Sequence, residues 1–196
     1  MFKPWSKYSD IELVQIIKKN GSDKDKAFAE FYNRHSDNLF TYCLKILENY
    51  QDAKDVFQEA FIKFYQNIQN IEPYGSMTSL LYKIARNESL NLIAKRKNLT
   101  ELKDEELPYF HNFDSESQEI IELIGQALEL IPFYQKELFV LKYYQGLSYD
   151  EIAKITLLDK GTLRNRIKRA ITNLQKILEP YFNDQIIKEK KVKKNG

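Results

Sequence analysis

The sequence predicts an all-α protein: two small helical domains joined by an acidic flexible linker, the second containing a helix-turn-helix. Three observations support this fold class. Apolar residues recur at helical spacing along most of the chain, and no stretch shows the apolar–polar alternation of a strand. Residues that interrupt helices are scarce, since the chain has 6 glycines and 5 prolines. A chain of 196 residues is long enough to bury a core in each of two domains.

Composition narrows the class of protein. The chain has 30 basic and 28 acidic residues, so any charged binding surface must be local. Cys43 is its single cysteine, which excludes an internal disulfide and fits a reducing compartment; we expect a cytoplasmic protein. No apolar run reaches the roughly 20 residues of a membrane span, and no signal peptide is apparent. His35 and His111 make no zinc set with one cysteine, so we expect no metal and no cofactor.

The first domain opens with two predicted helices. Ser9, followed three residues later by Glu12, forms a capping box that starts the first helix, and Asn20-Gly21 ends it. A weaker start lies between Ser22 and Asp25. The apolar residues after it share helical spacing and are predicted to be core: Phe28, Phe31, Tyr32, Leu39, Phe40, Cys43 and Leu47.

A third helix begins around Asp52 and is strongly amphipathic. Its apolar stripe is predicted to face the core: Ala53, Val56, Phe57, Ala60, Phe61, Phe64, Tyr65 and Ile68. Asp55, Gln58, Glu59 and Ile62 therefore lie on the opposite side, available to a partner. A break at residues 73–76 separates it from a fourth helix, which runs from about Thr78 to Lys97 and ends in Lys95, Arg96 and Lys97.

The linker is predicted from a change in composition. Residues 99–118 are acidic and lack periodicity, which separates a first domain at 1–98 from a second at 119–180. Helices resume at Glu119 to Leu130, and Pro132 suits the first turn of the next helix. The basic tail, 181–196, is expected to be a disordered charged end from Lys188, with an arm that binds nucleic acid as the alternative.

The helix-turn-helix is the most informative element of the chain. Ser148 and Glu151 form a second capping box, so a helix should begin at Tyr149. Asp159 can cap the helix that follows. The apolar residues of that second helix again fall at helical spacing: Leu163, Ile167, Ala170, Ile171 and Leu174.

The outward face of this second helix is basic. Between Ser148 and Leu178, seven basic residues stand against three acidic ones, which favours contact with a phosphate backbone. The alternative is the solvated face of an ordinary bundle helix, because Lys and Arg are good helix formers. The outward residues are Lys160, Arg164, Asn165, Lys168 and Arg169.

Three blocks, in order, resemble the extracytoplasmic-function (ECF) sigma factors, promoter-specificity subunits of bacterial RNA polymerase. Residues 52–61, DAKDVFQEAF, look like the helix that binds core polymerase. Residues 82–87, YKIARN, are similar to the helix that reads and opens the −10 element. Residues 131–170 match the helix-turn-helix that reads the −35 element. The resemblance covers roughly residues 9–98 and 119–178.

The resemblance implies a non-catalytic chain with three binding faces. The core-polymerase face, presented to the beta-prime and beta subunits, is Asp55, Gln58 and Glu59. The −10 DNA face is Lys83, Arg86, Asn87, Lys95 and Arg96. The −35 DNA face is Lys160, Thr162, Arg164, Asn165, Arg166, Lys168 and Arg169. The acidic linker resembles the family's connector, which passes near the polymerase active site. Family members are commonly held inactive by an anti-sigma factor.

Four positions depart from the family pattern. Leu80 stands where many relatives carry Trp, Asn91 where Asp is common, and Ala94 where Arg is common. Leu157 replaces the glycine usual in the helix-turn-helix break, where a positive φ is costly for a branched side chain, so we expect a re-routed turn. These departures suggest the hypothesis that the protein reads its promoter weakly and depends on a recruiting factor.

Two other functions compete with this interpretation. A helix-turn-helix repressor or activator would use its N-terminal helices to sense a ligand or dimerise, without a polymerase-binding face. A helical magnesium hydrolase would use the carboxylates of Asp52, Asp55 and Glu59, which lie on one side of a helix.

In the sigma-factor interpretation, opening of a DNA strand would also need an aromatic side chain for an unstacked base, for which Tyr74 and Tyr82 are candidates.

Overall fold

The computed structural model describes residues 4–70, 76–99 and 116–192, with side chains described for 4–70, 76–96 and 120–181. Throughout these residues the regular elements are helices and no strand occurs, as predicted. Short 3₁₀ turns lie at Trp5–Lys7 and Ile68–Asn70. The α-helices are α1 (Asp10–Lys18), α2 (Lys24–Leu47), α3 (Tyr50–Gln66), α4 (Met77–Leu99), α5 (Glu116–Glu129), α6 (Phe133–Phe139), α7 (Tyr149–Thr156) and α8 (Lys160–Val192).

The helix starts in the first domain follow from local caps. At α1 the Ser9 amide donates to Glu12 Oε2 at 2.6 Å, and the Glu12 amide donates to Ser9 Oγ at 3.3 Å, which confirms the predicted capping box. The side chain of Asp23 makes no capping bond at α2, in keeping with the weaker predicted start. At α3 the Asn49 side chain accepts from the Asp52 amide at 3.0 Å.

The predicted apolar stripes form the core of the first domain. Phe31 of α2 and Phe64 of α3 are fully buried and stack with ring centroids 4.7 Å apart. Tyr32 is the exception, since 37% of it is exposed. It lies one residue past the buried face of α2, at the rim of an aromatic groove, so periodicity alone placed it wrongly in the core. The other predicted core positions of α2 are buried, except that Phe28 and Phe40 are only partly buried.

The second domain contains the predicted helix-turn-helix. Pro132 precedes α6, which continues into a π-helical turn at Val140–Tyr144. The capping box at Ser148 starts α7 at Tyr149, as predicted. Leu157 ends α7 in the left-handed conformation, with φ 60° and ψ 23°. The expectation of a re-routed turn was therefore wrong: the leucine adopts the backbone conformation that a glycine would take, and its side chain is 75% exposed.

The ends of the second domain differ from the sequence-based expectation. Helix α5 begins at Glu116, inside the segment assigned to the linker; the remaining linker residues 100–115 lie outside the described residues. Helix α8 passes through Pro180 and continues to Val192. The backbone of 188–192 is thus helical rather than disordered, because α8 continues past the predicted boundary at 180 without a break.

The two domains pack against each other. One buried apolar cluster includes Leu81 and Ala85 of α4 together with Ile152 and Ile155 of α7, and extends into α8. A smaller cluster joins α5 to α8. This packing places α6 and α7 over one face of α4, which determines what that face can contact. Among the described helices, none is both long and apolar enough to cross a bilayer.

Candidate nucleic-acid and protein interfaces

The N-terminus of α8 is fixed by Asp159. One carboxylate oxygen accepts from the Thr162 amide at 2.9 Å and the other accepts from the Thr162 hydroxyl at 2.5 Å. These hydrogen bonds lower the pKa of Asp159, and the bond from the Thr162 hydroxyl contributes most. Thr162 therefore serves the cap in this structure, so its hydroxyl is already engaged, which sequence reasoning did not foresee when it placed Thr162 on the −35 face.

The basic face of α8 is exposed as predicted. Leu163, Ile167 and Ala170 are buried, at 0–1% exposure, which turns the other side of the helix outward. Lys160 forms an ion pair with Asp150 of α7, so its charge is partly balanced within the protein. The exposed residues are Lys160, Arg164, Asn165, Lys168 and Arg169. This face combines point charges for phosphates with donors that can reach base edges.

Two tyrosines that sequence reasoning missed lie against arginines of this face. The Arg164 guanidinium lies 5.5 Å from the ring centroid of Tyr149, and Lys142 Nζ lies 5.0 Å from the same ring. Arg166 is half-buried and lies 5.5 Å from the ring of Tyr134. A contact of this kind attracts the cation to the face of the ring and so limits the rotamers that its side chain adopts. No spacing rule in a single sequence connects Tyr134 with a residue 32 positions later.

The outward side of α3 is also available as predicted. Asp55 and Gln58 are exposed, and Asp55 accepts only a local hydrogen bond, from Gln51 Nε2 at 3.0 Å. Glu59 is half-buried and pairs with Lys63 at 3.4 Å. Gln58 borders an aromatic groove between α2 and α3 with a volume of about 470 Å³. The groove is lined mainly by rings, with Ile62 at its edge: Phe28, Tyr32, Phe57, Phe61 and Tyr65.

The carboxylates of α3 do not form a metal centre. Asp52 pairs with Arg96 of α4 rather than pointing toward Asp55 and Glu59. Within the described side chains, no group of three His, Cys, Asp or Glu residues is arranged to hold an ion. The structure therefore gives no support to the magnesium-hydrolase alternative.

The cations of α4 divide into two groups. Lys83, Arg86 and Asn87 are spaced to share one face of the helix. Lys95 and Arg96 lie about 12 residues further along, roughly 18 Å from Lys83 along the axis, so the five residues assigned to the −10 DNA face do not form one cluster. Arg96 is engaged by Asp52 and by the Leu47 carbonyl, the latter at 3.5 Å.

Arg86 is engaged by the second domain. Its Nε donates to Glu137 Oε1 at 2.7 Å and its Nη2 donates to Glu137 Oε2 at 3.2 Å. Glu137 lies on α6 and is 3% exposed. In this conformation Arg86 therefore cannot make the DNA contact that its −10 assignment requires. Sequence reasoning could not find Glu137, which is 51 residues away.

Tyr82 is not available as an aromatic wedge. It is 2% exposed, and its hydroxyl donates to Gln145 Oε1 of the second domain at 2.7 Å. Burial raises the pKa of its hydroxyl well above the usual value. The suggestion that Tyr82 accepts an unstacked base is therefore wrong for this conformation, because the domain packing covers its ring. Tyr74 lies outside the described residues.

Comparison with known families identifies both domains. Residues 31–99 match the family described as Sigma-70 region 2, and residues 121–174 match Sigma-70, region 4. The first match contains α3 and α4 with their polar faces. The second contains the helix-turn-helix and the basic half of α8.

Individual relatives agree with these matches. The ECF RNA polymerase sigma factor SigW of Bacillus subtilis (strain 168) is 30% identical over 180 residues, which cover 84% of this chain and 94% of SigW. The structure of CnrH in complex with the cytosolic domain of CnrY has a TM-score of 0.68 at 19% identity, covering 87% of this chain and 97% of that one. The sigma factor RpoE of Bartonella quintana, in complex with the anti-sigma factor NepR, has a TM-score of 0.69 at 22% identity, covering 79% and 98%.

Proposed function

Because this chain belongs to the ECF sigma factors, which direct bacterial RNA polymerase to promoters, we propose that its three polar faces divide the work of initiation. The chain confers promoter recognition and carries no catalysis of its own. It acts in the cytoplasm, where its polymerase works. The observation that carries the proposal is the exposed basic face of α8, on a helix whose start is fixed by Asp159.

The second domain, 119–180, reads the −35 element. Arg164, Asn165 and Lys168 are exposed along the part of α8 that a helix-turn-helix presents to the major groove. Arginine and asparagine recognise base edges through paired hydrogen bonds. Arg166 and Arg169 instead contact the phosphate backbone, with Lys160, and Thr162 contributes through the cap that orients this end of the helix.

The α3 face of the first domain, 1–98, binds core polymerase. Asp55 and Gln58 are exposed, and Asp55 accepts a hydrogen bond from Gln51 one turn earlier on the same helix, so this face is available to a basic surface. Glu59 extends the acidic character of the face. Opposite charges that become desolvated on association give specificity and speed encounter. We propose the beta-prime subunit as the partner of this face and the beta subunit as a further contact.

The −10 element is read and opened by α4. Lys83 and Asn87 lie on one face of the helix with Arg86, and they supply a cation for phosphates and an amide for a base edge. We expect the triple alanine variant of these three residues to impair strand opening while duplex binding by the second domain survives. Permanganate footprinting of unpaired thymines measures opening, and normal reactivity in the variant would remove α4 from the −10 site.

The decisive experiment combines a core-polymerase pull-down with run-off transcription. We expect the chain to bind core polymerase and to create new start sites, which a helix-turn-helix repressor would not do. Asp55→Arg with Gln58→Ala should weaken binding by about 2–5 kcal/mol, provided the reversed charge is desolvated at the interface. The matched control is Asp37→Arg with Asn38→Ala on the exposed side of α2. Equal binding by both variants would take the α3 face out of the interface.

Regulation of the chain follows from the same faces. We propose two classes of regulatory partner, an anti-sigma factor and a recruiting factor. An anti-sigma factor that covers α3 or α8 would block the binding of polymerase or of DNA. The departures at Leu80, Asn91 and Ala94 favour a recruiting factor: Leu80 is half-buried, while Asn91 and Ala94 are exposed. Strong initiation by core polymerase and this chain alone would contradict the need for recruitment.

A further inference from the structure

We propose that Tyr149, the first residue of α7, is a positioning residue that holds Arg164 of α8 ready for a base edge of the −35 element. The inference rests on the proposed function, in which the second domain reads that element, and it adds a specificity determinant outside α8. In this role Tyr149 acts through Arg164, whose guanidinium carbon lies 5.5 Å from the centroid of the tyrosine ring.

The ring of Tyr149 stands on a helix start that is itself fixed. The capping box of Ser148 and Glu151 sets the backbone at the residue before Tyr149. Tyr149 is half-buried and packs against the larger apolar cluster. Lys142, in the π-helical turn, has its Nζ 5.0 Å from the same ring centroid and donates to the Leu147 carbonyl at 3.1 Å. The ring is therefore held by contacts from both ends of the segment that leads into α7.

Further contacts fix the start of α8 relative to that ring. Lys160, the first residue of α8, forms an ion pair with Asp150, the neighbour of Tyr149. Asp159 caps the same end of α8. Arg164 follows Lys160 by four residues, so the two share a face of the helix. The backbone of Arg164 thus lies at a set distance from the ring, and the side chain has only its own rotamers left to order.

Stacking on a ring leaves the hydrogen-bonding edge of an arginine free. A guanidinium is planar, so its flat face can lie on an aromatic ring while its five N–H donors point outward in the plane. Arg164 is exposed, so those donors are available to the O6 and N7 acceptors of a guanine while the contact with Tyr149 is kept. A side chain that is already ordered loses less conformational freedom on binding. This gain applies only to DNA that offers the matching base, and it therefore adds to sequence preference.

The test measures sequence preference with the full-length chain bound to core polymerase. The probe is a duplex library randomised over about 40 base pairs, or four helical turns, which is long enough to hold both promoter elements. Sequencing of bound and unbound DNA gives the affinity ratio between the preferred upstream sequence and its single-base variants. Titration of the preferred duplex at several salt concentrations gives the slope of log affinity against log salt.

Variants separate the ring of Tyr149 from its other roles. Tyr149→Leu keeps apolar bulk but removes the ring, and it should lower the affinity ratio about two- to fivefold at the base pair whose ratio Arg164→Ala abolishes. Tyr149→Phe keeps the ring and should match the parent. Tyr149→Leu added to Arg164→Ala should cause no further loss of the ratio, because the two side chains act as a unit. The salt slope of Tyr149→Leu should equal that of the parent, since no phosphate contact is removed.

The matched control is Tyr143→Leu in the π-helical turn of the same domain. Tyr143 is 52% exposed and packs against the ring of Phe139, with centroids 4.8 Å apart. The control should keep the affinity ratio of the parent, which ties the loss in Tyr149→Leu to the ring beside Arg164 rather than to the removal of any tyrosine.

Several results would overturn the inference. A parent-like ratio in Tyr149→Leu would show that the ring does not position Arg164, and an equal loss in Tyr149→Phe would assign the effect to the hydroxyl. A further loss in the double variant would show that Tyr149 acts independently of Arg164. A loss shared by all sequences, with a lower salt slope, would reduce Tyr149 to a support of the fold.

The proposed function is tested separately by the parent. Enrichment of an upstream sequence by the parent, with no change of the ratio in Tyr149→Leu, refutes the positioning role alone. Absence of any enriched upstream sequence with the parent refutes the assignment of the second domain to the −35 element.

Discussion

The left-handed turn at Leu157 allows a sharp test of the helix-turn-helix geometry. Leu157 has φ 60° and ψ 23°, and its amide donates to the Ala153 carbonyl at 2.8 Å, closing α7. For an L-residue with a side chain this conformation costs roughly 1–2 kcal/mol relative to the right-handed one. Glycine does not carry that cost. We therefore expect Leu157→Gly to be more stable than Leu157→Ala by about 1 kcal/mol.

The comparison with alanine isolates the backbone contribution. Both variants remove the leucine side chain, which is 75% exposed and contributes only about 0.5 kcal/mol of burial. Relative to the parent, Leu157→Gly should thus gain about 0.5 kcal/mol in the free energy of unfolding, or about 2 °C in Tm for a chain of this size. In an ordinary helix interior the order is reversed, with glycine about 1 kcal/mol less stable than alanine.

Urea unfolding followed by far-UV circular dichroism measures these differences. The matched control is Lys154, an exposed residue inside α7, where the glycine variant should be the less stable one. Opposite signs at the two positions would support the left-handed turn. If Leu157→Gly were equal to or less stable than Leu157→Ala, the turn would not have this backbone conformation, and the angle between α7 and α8 would need revision.

The remaining predictions concern DNA recognition and acid stability. Arg164→Ala should change sequence preference at the −35 element by about 1–3 kcal/mol, as measured by competition between promoter variants, and unchanged preference would exclude a base contact. Arg169→Ala should weaken all sequences alike and reduce the slope of log affinity against log salt by about one, which titration at several salt concentrations measures. Asp10 accepts from Arg34 and His35 at 2.7 Å each; burial raises the pKa of Asp10, but these two partners outweigh it and leave the pKa below 3.8. The contribution of Asp10 to stability is therefore present above pH 3.8 and is lost as pH falls through the lowered pKa of the folded state. Asp10→Asn should thus cost about 2 kcal/mol in the free energy of unfolding at pH 7, and progressively less below about pH 4. Urea titrations at several pH values measure this difference.

The sequence predicted the features that depend on neighbouring residues. Both capping boxes were found because a cap joins residues three positions apart, as at Ser9 and Ser148. The exposed faces of α3 and α8 followed from periodicity, since a strong apolar stripe fixes which side of a helix faces out. Tyr32 shows the limit of this reasoning: its spacing fits the stripe, but the neighbouring helix leaves it at the rim of a groove.

Some features depend on which helices meet, and these could not be predicted from one sequence. Nothing near Arg86 indicates that Glu137 will hold it, and nothing near Tyr82 indicates that Gln145 will accept from its hydroxyl.

The amino-acid sequence by itself therefore determined the helices, their caps and the polar faces that they present, because those properties arise within a few residues along the chain. Only the tertiary structure decided which of those faces are free. The basic face of α8 remains exposed, whereas Arg86 is covered, because packing of the second domain on α4 brings together charges that lie 51 residues apart.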